Sequence, residues 1–207
     1  MSSPQPPLWS AWQAGLAKRL RDPLTPHNPS DRHAAVSIVL QLGPEPDVLF
    51  MVRAQREGDR WSGQVAFPGG HHEPSDTSLL DTARRETLEE VGLDLVHVAH
   101  PLGQLAPVQA RSHGQRLSLW VTPFVFVQHT PAEWNLGPEA AHAFRIPLAP
   151  LLEGLLAAEK TLKVESLTKR YPAWRFQDHL VWGMTYHILG AFMDEVRPLG
   201  PLPESLA

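Results

Sequence analysis

Glu86, Glu89 and Glu90 stand at i, i+3 and i+4 in a stretch that reads as one amphipathic helix, and few features limit the fold as tightly. At about 100° per residue the three acids share an arc of roughly 100°. Leu80, Ala83, Thr87 and Val91 occupy the adjoining arc as a mostly apolar stripe. The stripe must pack on something, and that holds the acids at the edge of a buried layer. Like charges at these spacings destabilise an isolated helix. A hard divalent cation with oxygen ligands would relieve the repulsion; an acidic face turned to solvent is the ordinary alternative.

The flanking residues sharpen the choice. A strand-like run, Gln64 to Phe67, leads into Pro68-Gly69-Gly70, read as a turn that brings backbone close to the acids. The helix is expected from about Ser75 to Val91, with Gly92 as its left-handed cap and Leu93 as the apolar residue that follows. Arg85 lies four residues before Glu89 and is placed to pair with it.

Arg85-Glu86-Thr87-Leu88-Glu89-Glu90-Val91-Gly92-Leu93 resembles the second half of the Nudix box, Arg-Glu-apolar-any-Glu-Glu-any-Gly-apolar, at every polar and glycine position. Thr87 takes a slot that is usually apolar. The first half departs: Asp76, not Glu, follows Gly70 by six residues, and eight residues, not seven, separate it from Arg85. With Arg53, Arg56, the run Gly63 to Gly70, and Glu73, this lengthened loop resembles the extended signature of the coenzyme A diphosphatase branch. Glu73 stands for that signature's first Asp, and Ser62 lies next to where its His is expected. Trp182-Gly183-Met184-Thr185 is similar to a second signature of the branch, W-G-x-T.

The resemblance implies a Nudix α/β/α sandwich around a mixed β-sheet, here with an added N-terminal helix. It implies hydrolysis of a diphosphate with Mg2+ or Mn2+. Glu86 and Glu90 are then direct metal ligands, and the Gly70 carbonyl a further one. Glu89 is either a third ligand or the general base, and the base is the first choice. Glu139, in a segment similar to the family's site-closing "E-V…F-x-V-P-L", is the downstream alternative base, preferred to Glu133; its other reading is an acid at a helix start. Arg53, Arg56, Gly69 and Gly70 are the expected substrate contacts. The implied reaction splits coenzyme A or acyl-coenzyme A into 3′,5′-ADP and a phosphopantetheine. Ser62, Glu73 and Thr87 leave room for ADP-ribose, nucleoside di- or triphosphates or dinucleotide polyphosphates. A non-catalytic ligand sensor on the same fold is the third reading, and the intact glutamate set speaks against it.

Bulk properties agree with a small-molecule enzyme. The chain has 207 residues, enough for one domain with a real core. A net charge of −4 gives no general reason to bind nucleic acid or anionic membranes. Without cysteine there is no disulfide, thiolate metal site or thiol nucleophile. No secretory signal or bilayer-length apolar run is visible, so a cytoplasmic protein, monomer or homodimer, is expected. Residues 1–30 are read as an N-terminal helix and linker, with residues 1–7 disordered, 31–198 as the hydrolase domain and 199–207 as a tail. Trp9, Trp12, Leu16 and Leu20 recur at helical spacing, for packing on the domain or on a second subunit.

Strands are expected over Ala34 to Leu42, Val48 to Val52, Leu95 to Leu105, Leu117 to Val127 and Trp174 to Trp182. A turn or short helix, the end of a strand and a Leu-rich helix are expected between Glu139 and Leu156, and a final helix to about Val196. His71 and His72 are read as solvated loop residues and Arg111 to Arg116 as a polar loop.

Overall fold

The computed structural model describes residues 7–22, 32–58, 61–112, 115–164 and 167–203. Residues 1–6 of the segment expected to be disordered and most of the Asp22 to Arg32 linker lie outside these residues, while Pro7 opens the N-terminal helix. β1 (Arg32–Gln41) and β7 (Gln115–Gln128) run parallel through the centre of an eight-stranded sheet. Antiparallel partners complete it: β2 (Asp47–Arg53), β3 (Val65–Ala66), β4 (Gly69–His71), β5 (Ala99–Gln104), β6 (Val108–Ser112) and β8 (Ala140–Pro147). The sheet is therefore mixed, as expected.

Alternation along β1 decides what lies on each face. Ala35 and Val39 point to one side and pack with Leu49, Met51, Phe124 and Phe126 against Leu80, Ala83 and Val91 of α2 (Leu79–Val91). Ile38 and Leu40 point to the other and meet Trp9, Trp12 and Leu16 of α1 (Pro7–Ala17) and Leu189, Phe192 and Met193 of α5 (Gly183–Val196). Two cores flanking one sheet make the α/β/α sandwich. The N-terminal helix packs on its own chain, and Arg19 after it pairs with Glu195 of α5 at 2.9 Å.

Three local expectations change. Pro68-Gly69-Gly70 is not a turn: Gly69 and Gly70 open β4, opposite Val36 and Ala35 of β1. Glycine permits this pairing, since a Cβ on Gly69 would lie 2.2 Å from the Ala35 carbonyl oxygen. Leu95–Val98 forms a short helix, α3, because the Asp94 side chain caps the Val96 amide and delays strand β5 to Ala99. After the expected turn, at residues 138–139, strand β8 begins at Ala140, earlier than the strand end expected at Arg145 to Leu148; the Leu-rich helix α4 (Leu148–Leu152) follows it.

A second, three-stranded sheet joins β9 (Ala157–Val164), β10 (Leu167–Phe176) and β11 (His179–Trp182). The single strand expected over Trp174 to Trp182 is a hairpin broken at Gln177 and Asp178, and the rest of this sheet was not anticipated, because Lys160, Lys163, Lys169 and Arg170 interrupt the apolar alternation that marks a strand. Among the described residues no helix is long and apolar enough to cross a membrane.

Trp9 is 2% exposed and stacks edge-on with Trp12 at 5.5 Å, so α1 is anchored through the core. Trp9→Ala is expected to cost about 3–5 kcal/mol, read as a lower urea midpoint at unchanged m-value.

Candidate active site

Helix α2 starts later than its sequence suggests. Ser78 is the N-cap, its hydroxyl accepting from the Asp81 amide, and Gly92 closes the helix with φ +72°. Residues 75–78 stay outside it, and the freed loop carries Asp76 back to Arg85. Arg85 donates from Nε to Asp76 Oδ1 at 2.9 Å and from Nη2 to Asp76 Oδ2 at 3.0 Å. The same Nη2 reaches the His71 carbonyl at 3.0 Å, while Nη1 donates to Glu86 at 3.0 Å and to Glu89 at 3.1 Å. The i, i+4 pairing with Glu89 was legible; the bidentate clamp on Asp76 was not. It accounts for the lengthened loop, whose carboxylate now orients the arginine that holds two of the three helix acids.

Glu90 is placed differently. It is 2% exposed, accepts from the Gly69 amide at 2.8 Å, and has Arg53 Nη1 at 4.0 Å. Burial pushes its carboxyl up to about 8; the negative charges of Glu86 and Glu139 add to the rise, and the Gly69 amide and Arg53 oppose it. Burial also raises the Glu86 carboxyl, against the pull of Arg85. Glu86 fills the space over Gly70, where a Cβ would lie 2.4 Å from Glu86 Oε1. A side chain at position 70 would therefore displace the Glu86 carboxyl, and the Gly69 amide is taken by Glu90.

The three acid side chains take different partners. Glu86 and Glu89 share the Arg85 guanidinium, and Glu90 turns to Gly69. Among the described residues no three His, Asp or Glu side chains stand as a ready-made ligand group. Glu89 is also the most solvated, its side chain 58% exposed.

Downstream residues complete the surroundings. The loop before β8 docks on the end of α2, with the Asn135 amide donating to the Val91 carbonyl at 3.1 Å and the Gly137 amide to the Glu90 carbonyl at 2.9 Å. A Cβ on Gly137 would sit 1.9 Å from the Glu89 carbonyl oxygen, so this approach needs glycine. Nothing in the sequence pattern around Gly137 announced it. The docking delivers Glu139 beside the helix acids, where its charge acts on both Glu86 and Glu90. Glu139 pairs with Arg56 at 3.1 Å and precedes a strand, so the helix-start reading does not apply.

The departures from the box have local explanations. Thr87 is buried and bonds Ser37 of β1 at 2.7 Å, so a polar pair replaces an apolar contact beneath the helix. Ser62 bonds the amide and carbonyl of Arg56 at 2.9 and 3.0 Å. Glu73 is exposed, and only its backbone engages Asp76. His71 is exposed as expected, whereas the His72 ring meets the Thr82 hydroxyl at 2.9 Å. The Arg111 to Arg116 segment belongs to the β6–β7 hairpin, and its tip lies outside the described residues.

Hydrogen bonds from Arg85 hold the Asp76 carboxyl at about 2, below its ordinary 3.8. A carboxyl depressed by folding stabilises the fold above its unfolded pKa, and that stability drains as pH falls through the folded value. Asp76→Asn is therefore expected to cost about 2 kcal/mol at pH 7. The difference from wild type shrinks between pH 4 and 2, as denaturant unfolding across that range will report.

Comparison with known proteins agrees with this geometry. Residues 31–164 match the NUDIX domain family. Over 171 residues the chain is 35% identical to the uncharacterized Nudix hydrolase NudL of Yersinia pestis (strain Pestoides F), spanning 81% of each protein. The NudL of Yersinia pseudotuberculosis serotype I (strain IP32953) matches to the same extent. Among solved structures, the Nudix hydrolase RenU of M. smegmatis superposes with a TM-score of 0.54 at 16% identity, covering 84% of this chain and 91% of that one, a likeness of fold alone. These similarities reach the family and do not single out a coenzyme A branch. The chain belongs to the Nudix family and is a hydrolase acting on a phosphoanhydride-type substrate.

Proposed function

We propose that this protein hydrolyses the diphosphate of a small molecule in which a nucleoside diphosphate is joined to another moiety, using a divalent cation. The observation that carries the reading is the buried Glu90 carboxylate, fixed by the Gly69 amide and close to the charges of Glu86 and Glu139. Arg53 and Arg56 stand at its rim. A half-buried group of acids bordered by arginines suits a cation together with a polyanion, and suits neither alone.

The residues fit the metal that Nudix hydrolases generally require. Burial lifts the Glu90 carboxyl to about 8 even with Arg53 at 4.0 Å, and oxygen donors are the ligands Mg2+ and Mn2+ prefer. Glu86 and Glu90, with Glu89 and the Gly70 carbonyl, are the groups that would hold it. When bound, such an ion withdraws charge from phosphate oxygens and lowers the pKa of a coordinated water.

The remaining work falls to the chain. Arg53 and Arg56 neutralise and orient the phosphates, with bidentate geometry available to each guanidinium. Arg85 keeps Glu86 and Glu89 in position. Glu89, solvated and acceptor-only, is the proposed base that takes the proton of the attacking water as the P–O bond to the leaving phosphate breaks. Glu139 is the second candidate for that proton, because its charge reaches the same acids.

Within this substrate class, coenzyme A and acyl-coenzyme A are favoured by Arg53, Arg56, the Gly63 to Gly70 run and the lengthened loop closed by Asp76. A second reading keeps the chemistry and changes the substrate to ADP-ribose, a nucleoside di- or triphosphate or a dinucleotide polyphosphate. Ser62 favours it: where the branch signature has histidine nearby, its hydroxyl is engaged by the backbone of Arg56.

Incubation of the purified protein with coenzyme A and Mg2+ is expected to release 3′,5′-ADP. Cleavage of ADP-ribose or a dinucleotide polyphosphate in its place selects the second reading. Glu90→Gln is expected to lower kcat at least 100-fold, on the scale of removing one electrostatic stabiliser of a transition state. A kcat within tenfold of wild type would remove Glu90 from the mechanism.

A further inference from the structure

We infer that Glu139 is a positioning residue for Arg56: it holds the guanidinium at the rim of the acid group until a phosphate of the ligand takes its place. The inference rests on the reading of the site as a diphosphate site, and it adds a contest for one arginine between a protein carboxylate and the substrate.

Backbone hydrogen bonds hold both ends of the pair, and its side chains are exposed. The Ala54 amide donates to the Glu139 carbonyl at 2.8 Å, joining the end of β2 to the start of β8. Ser62 closes on the amide and carbonyl of Arg56, and the Gly63 amide donates to the Arg53 carbonyl at 3.0 Å. Arg56 therefore leaves a hydrogen-bonded loop base, and its exposed side chain has room to turn to a ligand. The pair itself is solvated, with Arg56 45% and Glu139 44% exposed. Exposed pairs of this kind are weak, whereas a phosphate presents more charge and accepts two parallel bonds from a guanidinium. The Arg53 contact differs, because its acid is the buried Glu90.

The exchange has a consequence for the acids. Glu139 already adds its charge to Glu86 and Glu90. Once Arg56 turns to phosphate, that carboxylate loses its compensating cation and the acidic group becomes more negative as the polyanion arrives. Anion binding at Arg56 and cation demand at the acids are thereby coupled through one side chain, and an uncharged ligand does not open the pair.

Inorganic pyrophosphate is the probe, titrated calorimetrically in metal-free buffer into wild type, Arg56→Ala, Glu139→Gln and the double variant, each matched for circular dichroism. Glu139→Gln is expected to tighten binding about threefold, the scale of a weak exposed pair, and Arg56→Ala to loosen it. In the Arg56→Ala background, Glu139→Gln is expected to tighten binding by clearly less than in wild type, leaving only the effect of its charge on the site. Equal tightening in both backgrounds would mean that Glu139 repels anions only as a distant charge, and the inference would fall. No tightening in the wild-type background, or no binding by wild type, would overturn it as well. Hydrolysis is scored separately: turnover with uncoupled variants sinks this inference alone, and coupled variants without turnover of any diphosphate sink the catalytic reading alone.

Discussion

The Gly69 amide reaches the Glu90 carboxylate at 2.8 Å, and Glu86 lies where a side chain on Gly70 would have to go. These two contacts lock α2 to strand β4 at the level of the acids. Strand β4 is in turn paired to β1, the inner strand that carries both cores. A carboxylate that points at a sheet backbone cannot drift with its helix, so the geometry of the site is inherited from the register of the sheet. Ser37 and Thr87 reinforce the same registration from beneath, by a buried polar bond between β1 and α2.

Charge in this region is arranged in tiers. Asp76, nearly buried, fixes Arg85; Arg85 fixes Glu86 and Glu89; and Arg53 is the nearest cation to Glu90, at 4.0 Å. The outer acids pair with a guanidinium at hydrogen-bond distance, whereas the innermost one accepts from a backbone amide. Burial lifts the Glu90 carboxyl to about 8, while hydrogen bonds from Arg85 hold Asp76 at about 2.

Local periodicity made much of this legible. The helix, its glycine cap and the shared arc of Glu86, Glu89 and Glu90 follow from spacing, and the apolar stripe of Leu80, Ala83 and Val91 does face the core. Long-range geometry was not legible. The bond from Gly69 to Glu90 spans 21 residues and that from Thr87 to Ser37 spans 50. The reach of Asp76 to Arg85 depends on a loop whose length was visible but whose path was not. Gly70 was noticed as a backbone approach to an ion, while the space over it belongs to Glu86. Strand β9 and the first part of β10 escaped because a lysine-rich ladder has no apolar alternation to detect.

If the buried Glu90 charge is what a divalent cation answers, stability and ion binding must change together at this residue. A carboxyl raised by folding supports the fold while protonated and costs stability as pH rises toward about 8. Thermal unfolding of wild type and Glu90→Gln at pH 8, in EDTA and in Mg2+ or Mn2+, tests this. The account requires Glu90→Gln to melt at or above wild type in EDTA, and the ions to raise the Tm of wild type while leaving Glu90→Gln almost unmoved. Equal elevation of both proteins by the ions, or a marked loss of Tm in metal-free Glu90→Gln, would contradict it.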